Sequence, residues 1–260
     1  MIKKAITGRF FDATVPLAAA AVAAAHAGFA AYEPILGTEG ELSMMTDERT
    51  CRTLGAMIRD HGLSISALEC DSLMQFPYTS PDPAVRQKAC DMTIACLDRA
   101  HWLGADTVIV VPGVVAMPSD PARILCSYGN ALTLAYESLR DLVVEAEDRA
   151  VTIAIKNTHH YFLTSPLEMR EFTDRLNSSW AGVYLDLGKV PYYGFAQDWI
   201  DILGKRIVGI RVSEYDRMAE GGFNPDRMDA IGWDWRSVAA ILRRQYFEGP
   251  LSCESTGDLR

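Results

Sequence analysis

The chain has 260 residues, of which 49% are hydrophobic and 23% charged, and its formal net charge is -9 at pH 7. This length can bury a substantial core, and the composition is ordinary for a globular enzyme. The acidic balance argues against a nucleic-acid groove and against an anionic membrane face, and no apolar run approaches the ~20 residues needed to span a bilayer. We therefore expect neither a nucleic-acid partner nor a membrane partner.

Short apolar runs alternate with longer helical patterns along the whole chain. Eight runs predict strands, at 3–7, 29–33, 63–69, 105–111, 151–156, 182–188, 206–212 and 249–254. Seven segments between them predict helices, at 14–27, 46–61, 83–104, 120–149, 166–177, 196–204 and 234–247. The alanine-rich segment in the first of these helices is interpreted as an amphipathic helix and not as a signal peptide.

Eight βα repeats in about 250 residues predict a single (β/α)8 TIM barrel, an α/β fold. A doubly wound open sheet is the structural alternative, but the GxGxxG and P-loop motifs are both absent. No linker, low-complexity segment or block of charge divides the chain. We therefore predict one domain over residues 1–260.

The spacing of the six cysteines indicates the cellular compartment that we expect for this protein. None of the six belongs to a CxxC pair, and their spacing fits neither a zinc knuckle nor a disulfide framework. Reduced, buried thiols suit a reducing cytosol, so we expect a cytoplasmic protein. The cysteines are Cys51, Cys70, Cys90, Cys96, Cys126 and Cys253.

Polar residues at the ends of the predicted strands are the candidates for chemistry, because active sites of such barrels lie at the C-terminal ends of the strands. Four of them end consecutive strands, the fifth to the eighth, and should face one another across half of the mouth. These four are Lys156, Asp186, Arg211 and Glu254. The other candidates at strand ends are Glu33, Glu69 and Glu214.

An ordered set of stretches from about residue 50 to residue 254 resembles the xylose isomerase-like TIM barrels, the sugar phosphate isomerase/epimerase family that includes ketose 3-epimerases. The stretches include "VTIAIKNT", "GVYLDLGK", "DWIDILGKRIVGIRVSEYD" and "WDWRSVAAILRRQYFEGPLSCE". The resemblance implies a TIM barrel that binds a small carbohydrate substrate. Because family members often pair through the mouth face, it also implies a homo-oligomer or a pairing with a paralogous subunit.

The resemblance also implies a metal site that this sequence has changed. In the family the four strand ends usually read Glu, Asp, His, Glu and hold one divalent ion, for which manganese or magnesium is suited. Here the first and third positions are Lys156 and Arg211. The charge changes from -3 + 2 = -1, metal included, to -2 + 2 = 0 without it. Arginine has no lone pair to donate, and lysine must first lose a proton. We expect no metal and no other cofactor; Mn2+ or Mg2+ would bind only if this interpretation of the site is wrong.

The resemblance assigns proton transfer to Glu254. Asp186 is interpreted as an orienting partner. The chemistry of a buried lysine makes Lys156 a catalytic cation, base or imine-forming amine. The alternative for all three is a set of ion pairs filling a former metal site. The substrate-binding candidates are Arg211 as a carboxylate clamp, Arg217 by its match to an epimerase arginine, Lys189, His159, Glu69 and Glu33.

The expected activity is chemistry next to the carbonyl of a small sugar, keto sugar or sugar acid, through an enolate or enediolate. Two-base epimerisation fits less well than a one-sided reaction, because Lys156 replaces one of the two glutamates. Isomerisation, retro-aldol cleavage, β-elimination and decarboxylation of a β-keto sugar acid remain open. The alternatives are a non-catalytic accessory subunit and an ordinary metal-dependent isomerase or epimerase with relocated ligands.

Overall fold

A computed structural model describes residues 2–213 and 235–254. Twelve strands lie in this part of the chain: β1 Lys3–Thr7, β2 Ala31–Glu33, β3 Ile35–Leu36, β4 Ser64–Ile65, β5 Leu68–Cys70, β6 Thr107–Val110, β7 Ala116–Met117, β8 Asp120–Ile124, β9 Thr152–Lys156, β10 Ala181–Asp186, β11 Ile207–Val212 and β12 Pro250–Cys253. The α-helices are α1 Leu17–His26, α2 Glu48–Asp60, α3 Pro83–Leu103, α4 Tyr128–Asp148, α5 Pro166–Leu176, α6 Ala196–Leu203 and α7 Trp235–Arg244.

Ten of these strands form one parallel sheet that closes on itself. Their order is β3-β5-β6-β9-β10-β11-β12-β1-β2-β4. Strands β2 and β3 are two parts of one barrel strand, separated by Pro34, which has no backbone N–H to donate. Strands β4 and β5 are likewise two parts of one barrel strand. Because β2 pairs with β4 and β3 pairs with β5, eight barrel strands result. The predicted (β/α)8 TIM barrel is confirmed.

Helix boundaries follow local capping signals. Helix α3 begins after Asp82, whose side chain accepts a hydrogen bond from the backbone N–H of Ala84, and it ends at Gly104 in the left-handed conformation. Helix α5 begins with a capping box between Ser165 and Glu168. Both helices match their predicted ranges closely. None of the helices in the described part of the chain is long and apolar enough to cross a membrane.

One predicted helix begins eight residues late. The sequence predicted helix over 120–149, but residues 120–124 form β8, which pairs antiparallel with β7. The Asp-Pro pair at 120–121 resembles a helix start, yet the backbone N–H of Val115 donates to the carbonyl of His160, and that of Leu125 donates to the carbonyl of Val115. These tertiary bonds hold the segment extended, and the helix begins only after Ser127.

The core has two parts. The larger cluster lies between the sheet and the helices, and a small one lies inside the barrel, where Tyr184 packs with Ala67, Ile109 and Ala154. The Tyr184 ring needs the absence of a side chain at Gly209, because a Cβ there would lie 2.6 Å from the ring. Tyr184 therefore fills the lower part of the barrel interior, beneath the strand ends.

We expect Gly209→Ala to destabilise the fold by about 1–3 kcal/mol, because the added methyl group overpacks the Tyr184 ring. Urea unfolding of the two proteins measures this difference. Gly129→Ala is the matched control: Gly129 is exposed near the start of α4, and no atom lies within 4 Å of the place that an added Cβ would take, so alanine should be neutral or slightly stabilising. Equal stability of Gly209→Ala and the wild type would contradict this packing argument.

Candidate active site

Glu69 joins the cations at the centre of the barrel mouth. Its Oε1 lies 3.0 Å from Lys156 Nζ, and its Oε2 lies 2.6 Å from Arg211 Nη1. Lys156 ends β9, Arg211 lies near the end of β11 and Glu69 lies within β5, so the contacts run across the barrel. Burial alone raises the pKa of Glu69, but Arg211, Lys156 and Arg9 together outweigh it and hold that pKa well below its usual value. Glu69 is therefore ionised at neutral pH and weakly basic.

Arg211 is a fully buried guanidinium surrounded by carboxylates. Its side chain is 0% exposed and lies 3.1 Å from Glu33, 2.6 Å from Glu69 and 3.0 Å from Glu254. Its guanidinium carbon also lies 5.1 Å from the centre of the Tyr184 ring. Burial lowers the pKa of Arg211, but its neighbours, Glu69 first, raise it well above the ordinary value. Arg211 is therefore always positively charged, and its guanidinium lies beneath the mouth of the barrel.

The carboxylate of Glu33 accepts hydrogen bonds from four side chains. Its Oε1 accepts hydrogen bonds from the hydroxyls of Tyr184 and Ser66, and its Oε2 accepts from Ser252 at 2.7 Å and from Arg211 at 3.1 Å. Burial and the Glu33 charge raise the pKa of Tyr184 well above its usual value, so the phenol stays a donor. This carboxylate therefore anchors Arg211 in the lower layer of the site.

Arg9 is a site residue that the sequence analysis missed. It lies in a short 3-10 turn directly after β1, and its Nε and Nη2 each lie 3.3 Å from one oxygen of Glu69. Its side chain is 31% exposed, more than those of Lys156 or Arg211. The only signal in the sequence was its position just beyond a strand end.

The charge of the described site differs from the sequence estimate. The carboxylates of Glu33 and Glu69 join those of Asp186 and Glu254, and Arg9 joins the two predicted cations. The sum becomes -4 + 3 = -1 instead of 0. The predicted pairing of Lys156 and Arg211 with Asp186 and Glu254 exists, at 3.9 Å and 3.0 Å, but both cations have shorter contacts with Glu69.

Asp186 is fixed by its surroundings. Its Oδ1 accepts from the backbone N–H of Gly188 and from the hydroxyl of Ser213, while Oδ2 faces Lys156 Nζ at 3.9 Å. The side-chain amide of Asn157 also exchanges two hydrogen bonds with the backbone of Asp186. These bonds lock the end of β10 to the end of β9, and Asn157 was not identified from the sequence.

An aromatic group lies at the rim beside the fifth and sixth barrel strands. The His159 ring stacks on Tyr192 with centres 5.4 Å apart, and it lies 5.0 Å from the His160 ring. Burial, together with nearby positive charge such as that of Lys189, lowers the pKa of both histidines to about 4. Both imidazoles are therefore neutral at pH 7. Lys189 itself is half-buried in the turn that follows β10.

The structure thus brings most of the predicted residues together. Lys156, Asp186, Arg211 and Glu254 converge, and Glu33 and Glu69 join them. His159 lies close enough to Lys189, Asp186 and Lys156 for their charges to shift its pKa. Arg217 and Glu214 lie outside the described residues.

A divalent metal does not fit the side chains that are present. Two of the four expected ligand positions carry Lys156 and Arg211, whose nitrogen atoms donate hydrogen bonds to Glu69. Within 2–213 and 235–254, no three His, Cys, Asp or Glu side chains are grouped so that they could hold a metal ion. A divalent cation placed beside these nitrogen atoms would be repelled by the positive charges of Lys156 and Arg211.

Comparison with known proteins identifies the family. Solved structures that share the fold include an L-ribulose 3-epimerase, at 16% identity and a TM-score of 0.81, covering 99% of this chain and 82% of that one. They also include a D-psicose 3-epimerase with D-tagatose from Clostridium cellulolyticum H10, at 15% identity and a TM-score of 0.80, covering 100% and 86%. A 3-keto-D-glucoside 4-epimerase from E. coli has 12% identity and a TM-score of 0.77, covering 100% and 94%. No curated protein matches the sequence. The family model described as "Xylose isomerase-like TIM barrel" matches residues 21–259. The chain therefore belongs to the xylose isomerase-like TIM barrel family.

Proposed function

We propose that this chain is a carbohydrate-metabolism enzyme that acts next to the carbonyl of a small sugar, keto sugar or sugar acid, through an enolate or enediolate and without a metal. The observation that carries the proposal is the ammonium of Lys156, held at the end of β9 between Glu69 and Asp186. The similarity of the fold to proteins named as sugar 3-epimerases and a keto-glucoside 4-epimerase supports a sugar as the substrate class.

Lys156 supplies the positive charge that the intermediate needs. Removing a proton from the carbon next to C=O, or releasing CO2 from a carboxylate on that carbon, leaves negative charge on the carbonyl oxygen, and a preorganised donor stabilises it. Lys156 and Arg9 both contact Oε1 of Glu69, at 3.0 Å and 3.3 Å, so the two cations lie close together. A substrate oxygen bound beside Lys156 and Arg9 would accept hydrogen bonds from the N–H groups that now contact Glu69.

Glu254 is the proton-transfer residue in this proposal. Its side chain is 30% exposed, and it contacts Arg211 at 3.0 Å, which positions it without burying it. Glu69 is a poor base because its pKa is held low. Asp186 orients Lys156, and the fully buried Arg211 positions Glu69 and Glu254 instead of clamping the substrate directly.

A keto sugar acid is the finer substrate assignment. Lys189 and the neutral His159 lie at the rim, where a substrate carboxylate would lie beside a cation and a hydrogen-bonding ring. We assign Arg217 to the same group by its sequence match. Isomerisation and decarboxylation both need an oxyanion site but only one acid–base residue, which is what Lys156 and Glu254 provide.

We extend the single domain to residues 1–260 and expect a homo-oligomer.

The second candidate is a non-catalytic accessory subunit. The 0% exposure of Arg211 and its three carboxylate contacts favour it, because such a network would also fill a former metal site without serving catalysis. The two candidates differ in whether Lys156 must meet a substrate.

A substrate screen tests the enzyme proposal. Purified protein is incubated with a panel of β-keto sugar acids and, in parallel, with neutral ketoses, and products are followed by NMR. Turnover of a sugar acid or ketose supports the proposal. Borohydride added with that substrate then shows whether Lys156 is trapped as an imine. No turnover of any panel member, with binding to an active paralogue instead, favours the accessory subunit.

A further inference from the structure

Three sulfur atoms meet behind the barrel wall, on the side of β5 opposite to Glu69. Cys70 ends β5, Cys96 lies within α3, and Met44 lies in the segment between β3 and α2. The Met44 Sδ is 4.0 Å from the Cys70 Sγ and 3.9 Å from the Cys96 Sγ. Both cysteines are buried, while Met44 is half-buried and so connects the group to the surface.

The two distances from the Met44 sulfur to the cysteine sulfurs suit a three-coordinate ion. Three sulfur ligands placed about 2.3 Å from a shared ion in one plane lie about 4.0 Å from each other. Thiolate and thioether ligands select soft cations such as Cu(I) over the hard ions that carboxylates bind. Two cysteines and a methionine on three separate elements give such a ligand set.

Ser72 is a further neighbour of this group. Its hydroxyl lies 3.1 Å from the Cys70 sulfur and can donate a hydrogen bond to it. A monovalent cation bound by both cysteines as thiolates would displace one proton from each thiol, and the ion with its two thiolates would carry a charge of -2 + 1 = -1.

We propose that Met44, Cys70 and Cys96 form a binding site for a soft monovalent cation of the Cu(I) class. The site is separate from the mouth of the barrel and does not depend on the proposed function. Cys70 directly follows Glu69, so the backbone of β5 joins this site to the mouth.

Anaerobic titration of the purified protein with Cu(I), in competition with a chromophoric Cu(I) chelator, tests this proposal. One equivalent should be retained, and X-ray absorption should show three sulfur neighbours at about 2.3 Å. Met44→Leu, which conserves volume, should weaken retention by at least about tenfold, because the loss of a direct ligand should cost no less than the loss of its supporting contacts. Cys70→Ala and Cys96→Ala should abolish retention.

Cys51→Ala is the matched control. Cys51 is equally buried, but its sulfur contacts the carbonyl oxygen of Thr46 at 3.9 Å, so this variant should retain copper like the wild type. Retention of less than one equivalent, or copper affinity unchanged in Met44→Leu, would overturn the proposal and leave the sulfurs as core packing. Since Met44→Leu keeps the core volume, it decides the question even where a cysteine variant fails to fold.

Discussion

Lys156→Met is expected to keep the fold and to lower turnover by about 10²–10³-fold, the usual effect of removing one oxyanion donor. Methionine keeps most of the length of the side chain but removes the charge that Glu69 and Asp186 hold in place. The measurement is kcat on the substrate found in the screen, with circular dichroism to show that the fold is intact. Lys156→Ala should lose as much activity as Lys156→Met.

Two further variants complete this experiment. Lys156→Arg should retain part of the activity if the charge alone matters, and none if an imine forms. Lys205→Met is the matched control, because Lys205 is exposed and lies just before β11, at the opposite end of the barrel. If Lys156→Met works as well as the wild type on every substrate found in the screen, Lys156 has no catalytic role and belongs only to the ion pairs that fill a former metal site.

Arg211→Met is expected to destabilise the protein by about 3–5 kcal/mol, because it removes the cation that contacts the buried Glu33 and the shortest of the cation contacts of Glu69. Arg211 is 0% exposed, and Glu33 and Glu69, its buried partners, would lose their shortest charged contacts. The free energy of unfolding in urea measures the effect. Loss of activity in this variant would be secondary to the loss of order among the carboxylates.

Arg206→Met provides the comparison for this variant. Arg206 also binds a carboxylate through two contacts, to Asp174, but both side chains are substantially exposed. Its replacement should cost about 1 kcal/mol or less, since exposed ion pairs contribute little. A similar small loss for Arg211→Met would show that the network around it does not hold the barrel together.

The barrel could be predicted because its signals are local. Each repeat carries its own apolar run and its own capping residues, such as Asp82 before α3 and Ser165 before α5. The β7–β8 hairpin could not be predicted, since the bonds that hold it extended come from His160, more than 30 residues further along the chain. Tertiary contacts there outweigh a local helix-start pattern.

The site could be predicted in part for a similar reason. Strand ends identify which side chains reach the mouth, so Lys156, Asp186, Arg211 and Glu254 were found together. Their partners depend on distances across the barrel, and Glu69 lies 87 residues from Lys156 and 142 from Arg211 in the chain. No sequence pattern gives such distances. Arg9 was missed because its turn follows a strand that ends in an uncharged residue.

The central claim is that Lys156 and Arg211 take the place of a divalent metal. The most direct measurement is the metal content of the purified protein by elemental analysis, together with the unfolding temperature and the activity before and after EDTA. We predict less than one-tenth of an equivalent of manganese, magnesium, cobalt or zinc at this site, with unchanged stability and activity after chelation. Near-equimolar metal, with activity lost to EDTA and restored by that metal, would contradict the claim and support an ordinary metal-dependent isomerase or epimerase.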